Sequence, residues 1–485
     1  MRMNCGTNPQ GMSPAGEVLP SPSENPSAAP LRWARLIGRA FAVLVAVLAM
    51  AWPEDVCAQV GGGMGGRGAV GGISIDADGI VRNLDPKAIL SLAEDRRLAV
   101  AAMAGGPGTA GKLRKVSLAR IVAAVEAAAT TGQPLSSEVL LLGGLNRITH
   151  VFVDPDGHDI ILAGPADAFA VDAAGNMVGA LSRRPLLQLE DLIVALRAID
   201  GAREGGMKCS IDPTPEGVGR LQAFLRTQKT IGANPDATLQ AMENVLGPQR
   251  VTVGGVPADS RFARVLVAAD YRLKRIGMGL EPSGIAGLPS FLSMVPPGSA
   301  SAATLPRFWL EAEYDPIARD PDELAWQITG RRMKCLTEND VFGADGPRRG
   351  NAAPDATAQK WCGLMTSNYD RLAAEQPAFA ELVNCVDLAV VAALIHGRQL
   401  AARAGLDLGP FLDAKKLPMP SYDVPTTVPT VAHGLKKGSR WVVSASGGVI
   451  FQPWGFADHT TDSDAVGPTR MVALAARPVA GWWWD

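Results

Sequence analysis

Asp259-Ser260-Arg261-Phe262-Ala263-Arg264-Val265-Leu266-Val267-Ala268-Ala269-Asp270-Tyr271-Arg272-Leu273-Lys274-Arg275-Ile276 is the stretch from which the rest of the chain is read. At roughly 100° per residue, Val265, Ile276, Ala269, Phe262, Leu273 and Leu266 fall within a roughly 100° arc. That stripe predicts a helix docked along one side. Arg261, Arg264, Arg272 and Arg275 gather within roughly 80° beside the stripe, and Asp270 points elsewhere.

Working outward, the sequence alternates helical and extended patterns. Short apolar strands are expected at 208–211 and 249–253, and helices at 189–199, 216–227 and 236–246. Further upstream, Asp85 and Pro86 are an N-cap and first-turn pair opening a helix over 87–103. Leu118, Ile121, Val122 and Val125 mark another helix that ends by Gly132. Three segments, Ile75 to Gly79, Val153 to Gly157 and Val171 to Gly175, place Asp and Gly between apolar residues, which is hairpin chemistry. Downstream of a Pro-, Gly- and Ser-rich stretch at 282–301, a β-meander is expected over 307–314, 325–329 and 332–336. A helical hairpin over 357–374 and 378–399 follows, then a proline-rich linker from 410, a last β-hairpin (441–446 with 449–454) and the tail Trp482-Trp483-Trp484-Asp485. Mixed order of this kind is α+β: a mixed α/β domain over 73–281, then a β-meander and helical-hairpin domain over 302–409 and a C-terminal segment over 410–485.

The 485 residues carry 46 Lys+Arg and 48 Asp+Glu, a formal charge of -2. Such a balance supplies no whole-molecule field to hold nucleic acid or an anionic bilayer, because that binding scales with phosphates neutralised. Residues 1–30 are rich in Pro, Ser, Asn and Gly, a composition that cannot offset the entropy of ordering. Arg32, Arg35 and Arg39 then precede the apolar run Phe41 to Trp52, which Pro53 and the acids Glu54 and Asp55 stop. A basic region, a short apolar run and small residues before a cut are the parts of a secretory signal. Cleavage after Ala58 is expected, making 1–58 tail and signal, with a Gly-rich linker at 59–72. The destination is the periplasm or cell envelope, with no transmembrane span in the mature chain, since the apolar run falls short of the about 20 residues a span needs.

Four cysteines remain after such a cut: Cys209, Cys335, Cys362 and Cys385. Cys385 falls in the apolar register of the helix 378–399 and reads as a buried thiol, or as half of a Cys362–Cys385 link between the paired helices. No metal or cofactor is expected: the Asp-rich turns lack the six ligating positions and closing Glu of a calcium loop, and the five histidines fit no HExxH pattern. Gly447 and Gly448 beside Ser446 read as a hairpin turn. The residues singled out for ligand binding are therefore Arg261, Arg264, Arg272 and Arg275, since four guanidiniums on one helix flank match the bidentate geometry of carboxylate, sulfate or phosphate. The partner expected is an anionic polymer or an envelope protein, held by a non-catalytic binding or structural protein. The alternative is an exported hydrolase drawing an acid pair from separated segments, Asp212 or Glu216 with Asp270. The Trp482 to Trp484 tail suits either a plug for the protein's own core or an anchor for a partner.

Several segments also resemble an exported family of planctomycete-type bacteria described as a domain of unknown function. They are Gly72-Ile73-Ser74-Ile75-Asp76-Ala77-Asp78-Gly79, Ile161-Leu162-Ala163-Gly164-Pro165, Cys209-Ser210-Ile211-Asp212-Pro213-Thr214-Pro215-Glu216-Gly217, Ala269 to Leu280, Asp387 to Ile395 and the closing Trp-Trp-Trp-Asp. The resemblance spans about residues 70 to 485. It implies secretion and one long architectural unit, and it brings no catalytic residue.

Overall fold

Strand and helix formers alternate through the chain, and they assemble into two large sheets with helices packed between and around them. The computed structural model describes residues 70–101, 108–227, 235–296, 307–337, 342–343, 346–347, 356–433 and 445–485. The segment expected to be a signal and the expected cut after Ala58 lie outside the described residues, as do 59–69 of the glycine-rich run. The last three residues of that run, Val70 to Gly72, belong to the fold. A Cβ on Gly71 would sit 2.7 Å from Ala268 Cβ and 2.9 Å from Ala378 Cβ, so only glycine lets the backbone pass between those two helices.

One sheet has six strands in the spatial order Arg332–Thr337, Arg307–Glu313, Ser446–Phe451, Met207–Pro213, Gln249–Gly254 and Thr427–Val428. The pair Arg307–Glu313 with Ser446–Phe451 is parallel, and the other neighbours are antiparallel. The other sheet has seven, in the order Thr460–Asp462, Ile317–Arg319, Ala325–Gln327, His150–Asp154, Asp159–Ala166, Gly111–Ser117 and Trp483–Trp484. The architecture is α+β, with a mixed helix and strand region first and sheet and helical segments after it. Both sheets combine strands from before and after 282–301 and from beyond 410–429. The expected meander is divided: 307–313 and 332–337 pair with each other, while 317–319 and 325–327 join the other sheet.

The Asp/Gly turns form as their chemistry requires. Asp76 Oδ1 accepts from the Ile80 backbone N–H at 2.9 Å, Asp154 Oδ1 from Gly157 at 3.1 Å, and Asp172 Oδ1 from Asn176 at 2.7 Å. Each joins an antiparallel strand pair. Gly447 and Gly448, in contrast, make no hairpin turn. They lie inside the strand Ser446–Phe451, wedged between two neighbours, where a Cβ would meet Phe308 O and Cys209 O at 1.9 Å each. Two adjacent glycines here serve close backbone approach, which sequence pattern alone does not separate from a turn.

Two helices occupy the centre. Arg261–Gly277, the central helix, packs on the strands Met207–Pro213 and Ser446–Phe451 and against the long helix Pro377–Gly397. The long helix is apolar and long enough to cross a membrane, but Ala378 to Ile395 are buried, their surface taken by this protein's own elements. It follows Ala356–Ser367 and Tyr369–Glu375, the expected first half of the helical pair, broken at Asn368. Pro377 opens it at a position where a missing N–H costs nothing.

Cys362 does not face Cys385. Its Sγ lies 3.5 Å from Cys335 Sγ, whereas Cys385 sits against Asp191. Cys385 packs on the helix Leu189–Ala198 that carries Asp191 and Cys362 on the strand Arg332–Thr337, and all four described cysteines are free and buried.

The tail also finds a place on its own protein. Trp483 and Trp484 pair with Val116 and Lys115 at the sheet edge, the Trp484 indole donates to Ala473 O at 3.0 Å, and Arg114 grips Asp485 through two 2.9 Å bonds.

Candidate functional site

The central helix carries every ligand-binding residue expected from the sequence, and its two ends differ. Ser260 caps it, accepting from Ala263 N–H at 3.1 Å, and Gly279 at φ +72° turns the chain away beyond its last turn. The apolar stripe is buried as the wheel predicts. The remaining faces are largely buried too, because a second helix layer covers the side the wheel leaves polar.

At the N-terminal end, Arg261 enters the interior. Its guanidinium pairs with Asp191 and, at 2.8 Å, with Glu381 Oε1 of the long helix. Burial alone would lower its pKa, but Asp191 and Glu381 outweigh that and raise it. Glu190 lies next to this cluster, accepting from the Tyr422 hydroxyl at 3.1 Å. Burial, then the charge of Asp191, pushes its carboxyl up to about 7. Arg264 is 1% exposed, with Asp423 Oδ2 3.6 Å away and the Tyr422 ring 4.9 Å from its guanidinium carbon. Thus Arg261 faces the interior and Arg264 the proline-rich segment.

At the C-terminal end, Arg272 and Arg275 keep 18% and 20% of their side-chain surface and share one acid. Glu281 Oε2 accepts from Arg272 at 2.5 Å and Oε1 from Arg275 at 2.6 Å. Burial alone would raise the Glu281 pKa; the Arg272 charge and the hydrogen bonds from Arg272, Asn83 and Arg275 bring it below the usual range. Arg272 also donates to Gly72 O at 3.1 Å, tying the first described segment to the helix.

Beside these two, a cleft of about 30 Å³ opens between the helix and the sheet, lined by Tyr271, Lys274, Arg275, Gln249 and the segment 428–431. That volume holds a water or two, or one small charged group. Gln249 Oε1, buried there, has no hydrogen-bond partner among the described residues. Lys274 Nζ donates to Asp270 Oδ1 at 2.5 Å and to Gly447 O at 3.1 Å. Asp270 has no solvent exposure; burial pushes its carboxyl up to about 7, Lys274 opposing and Asp212 adding to the rise. Asp212 accepts from Gly447 N–H at 3.1 Å. Of the acids expected as a pair, Asp212 and Asp270 are therefore electrostatic neighbours, while Glu216 is exposed at the start of the helix Pro215–Thr227.

The segment from Cys209 to Phe291 takes in this helix and most of the cleft. Residues 209–291 carry a DUF1598 domain. That family is described as a protein of unknown function. No curated protein and no solved structure matches the chain. The DUF1598 domain holds Asp212, Gln249, Asp270, Tyr271, Lys274, Arg275 and Glu281, but the cleft closes only with 428–431 and Ala445 from outside it.

Residues that sequence reasoning missed are the acids opposite the arginines. Glu381 and Asp387 interrupt an otherwise apolar helix at a six-residue interval, a signal that each meets a buried partner. Asp387 indeed takes the Tyr314 hydroxyl at 2.7 Å and Arg332 at 3.2 Å. The Asp154 and Asp159 carboxylates of the second turn are engaged by Arg477 at 2.6 and 2.5 Å.

Proposed function

We propose that this is an exported binding or structural protein of the periplasm or cell envelope that takes an acidic polysaccharide at the C-terminal end of its central helix. The observation that carries the reading is the charge balance at the cleft. Arg272, Arg275 and Lys274 stand against Glu281, Asp270 and Asp212, an even balance that leaves one positive charge when Asp270 holds its proton. One carboxylate or sulfate substituent fits a cleft of about 30 Å³, with the sugar backbone lying outside. Arg275 offers planar donors to such a group, and Gln249 Oε1 accepts from a hydroxyl beside it. The Arg32/Arg35/Arg39 and Phe41 to Trp52 pattern supports export. The proposed contact is thus narrower than a whole arginine flank, because Arg261 and Arg264 are turned inward.

Affinity electrophoresis of the full chain through gels holding a sulfated or a polyuronate glycan, at two salt concentrations, tests this. Retardation is expected at low salt, weaker at high salt, and several-fold weaker in Arg275→Ala, with Arg97→Ala as an unaffected surface control. Equal mobility of wild type and Arg275→Ala sinks the proposal. A second reading, an exported hydrolase, draws on the near-neutral Asp270 carboxyl beside Asp212. Hydrolysis of either glycan that disappears in Asp270→Asn would favour it.

A further inference from the structure

We propose that Cys335 and Cys362 are a disulfide site, closed by thiol–disulfide exchange with a disulfide oxidant such as glutathione disulfide or a protein dithiol oxidase. The inference goes beyond the binding reading and does not depend on it.

Cys335 lies on the edge strand Arg332–Thr337 and Cys362 on the helix Ala356–Ser367 that covers it. Their sulfurs stand 3.5 Å apart, so side-chain rotation and a small backbone adjustment bring them to the roughly 2.05 Å of a bond. The backbone around them is already held in register. Cys335 N–H donates to Thr366 Oγ1 at 2.9 Å, and that hydroxyl donates back to Cys335 O at 3.3 Å, pinning one turn of helix to the strand. Cys209 and Cys385 have different neighbours: Cys209 lies near Asp270 and Lys274, and Cys385 against Asp191. The only sulfur–sulfur approach among the described residues is therefore 335 to 362.

The chemistry balances in two exchanges. One cysteine, as thiolate, attacks the oxidant's disulfide, forming a mixed disulfide and releasing one oxidant thiolate, which takes up a proton. The second cysteine loses its proton to solvent base and displaces the other half. Two protein thiols are oxidised to one disulfide, and the oxidant is reduced to two thiols. Burial, and the neighbouring thiol, raise the Cys335 pKa, so the thiolate is scarce in the closed protein. Closure consequently belongs to folding or to opening of the helix Ala356–Ser367 from the sheet, not to attack on the packed state.

The test refolds the full chain from denaturant in a buffer of glutathione disulfide in excess over glutathione, then blocks free thiols with iodoacetamide and maps unreduced peptides by mass spectrometry. A Cys335–Cys362 cross-linked peptide, with Cys209 and Cys385 alkylated, is expected. The oxidised chain should melt roughly 3–10 °C above the reduced one, because the bond restricts the unfolded ensemble. Alkylation of both Cys335 and Cys362, or a link from Cys362 to Cys385, overturns the assignment. Cys385→Ala provides a second arm: it leaves the 335–362 peptide in place if the assignment holds, and removes the cross-link if the true partner is 385.

Discussion

The two ends of the central helix carry the same residue type on the same side of the wheel and use it differently. Arg261 sits among Asp191, Glu190 and Glu381, more carboxylates than guanidiniums, in the interior. Arg272 and Arg275 share a single Glu281 near the surface, more guanidiniums than carboxylates. A buried excess of acid is relieved by retaining protons, whereas an excess of base that keeps some surface is able to meet a partner. Helical phase gives direction around the axis, and only the depth of each end decides between bracing and binding.

The most disruptive way to probe that contrast is Arg261→Ala. It strands Asp191 and Glu381 in the interior, and a loss of about 3–5 kcal/mol in urea unfolding is expected. A loss near zero would mean that the N-terminal end is not a brace. Next comes Glu190→Gln, read against pH. Below about pH 4.5 Glu190 is neutral in folded and unfolded chains alike. As pH rises towards about 7, the unfolded chain releases the proton that the folded one keeps, so stability declines by at most about 3 kcal/mol through this window. Glu190→Gln removes that component, and its stability curve should be flatter than wild type between those limits. Identical curves would show that the proton is not held there. The smallest effect is expected of Arg275→Ala: under about 1 kcal/mol of stability, since Arg272 keeps Glu281 paired. A larger loss would make both ends structural.

Much of the framework was legible because local chemistry dictates it. Asp76, Asp154 and Asp172 cap their turns whatever surrounds them. The buried stripe from Phe262 to Ile276 follows from helical period alone. What was not legible depends on elements far apart in sequence. Arg261 meets Glu381 across 120 residues, and no local pattern carries that distance. Gly447-Gly448 has turn composition, but the constraint is set by Phe308 and Cys209, whose strands close on it from both sides. The cysteine pairing failed likewise: helical register shows that Cys385 is buried without showing which sulfur is near. The cleft was invisible to pattern because 428–431, in a proline-rich stretch, forms one of its walls.

The glycine strand has a consequence for the order in which the molecule is made. Asp212 and Gly447 stand 235 residues apart and are joined in the finished sheet. A ribosome therefore completes the whole DUF1598 domain long before the strand that lies between its first strand and Arg307–Glu313 emerges. Until then Met207–Pro213 has an open edge, and the nascent chain must be shielded from pairing with other chains while synthesis runs to the end.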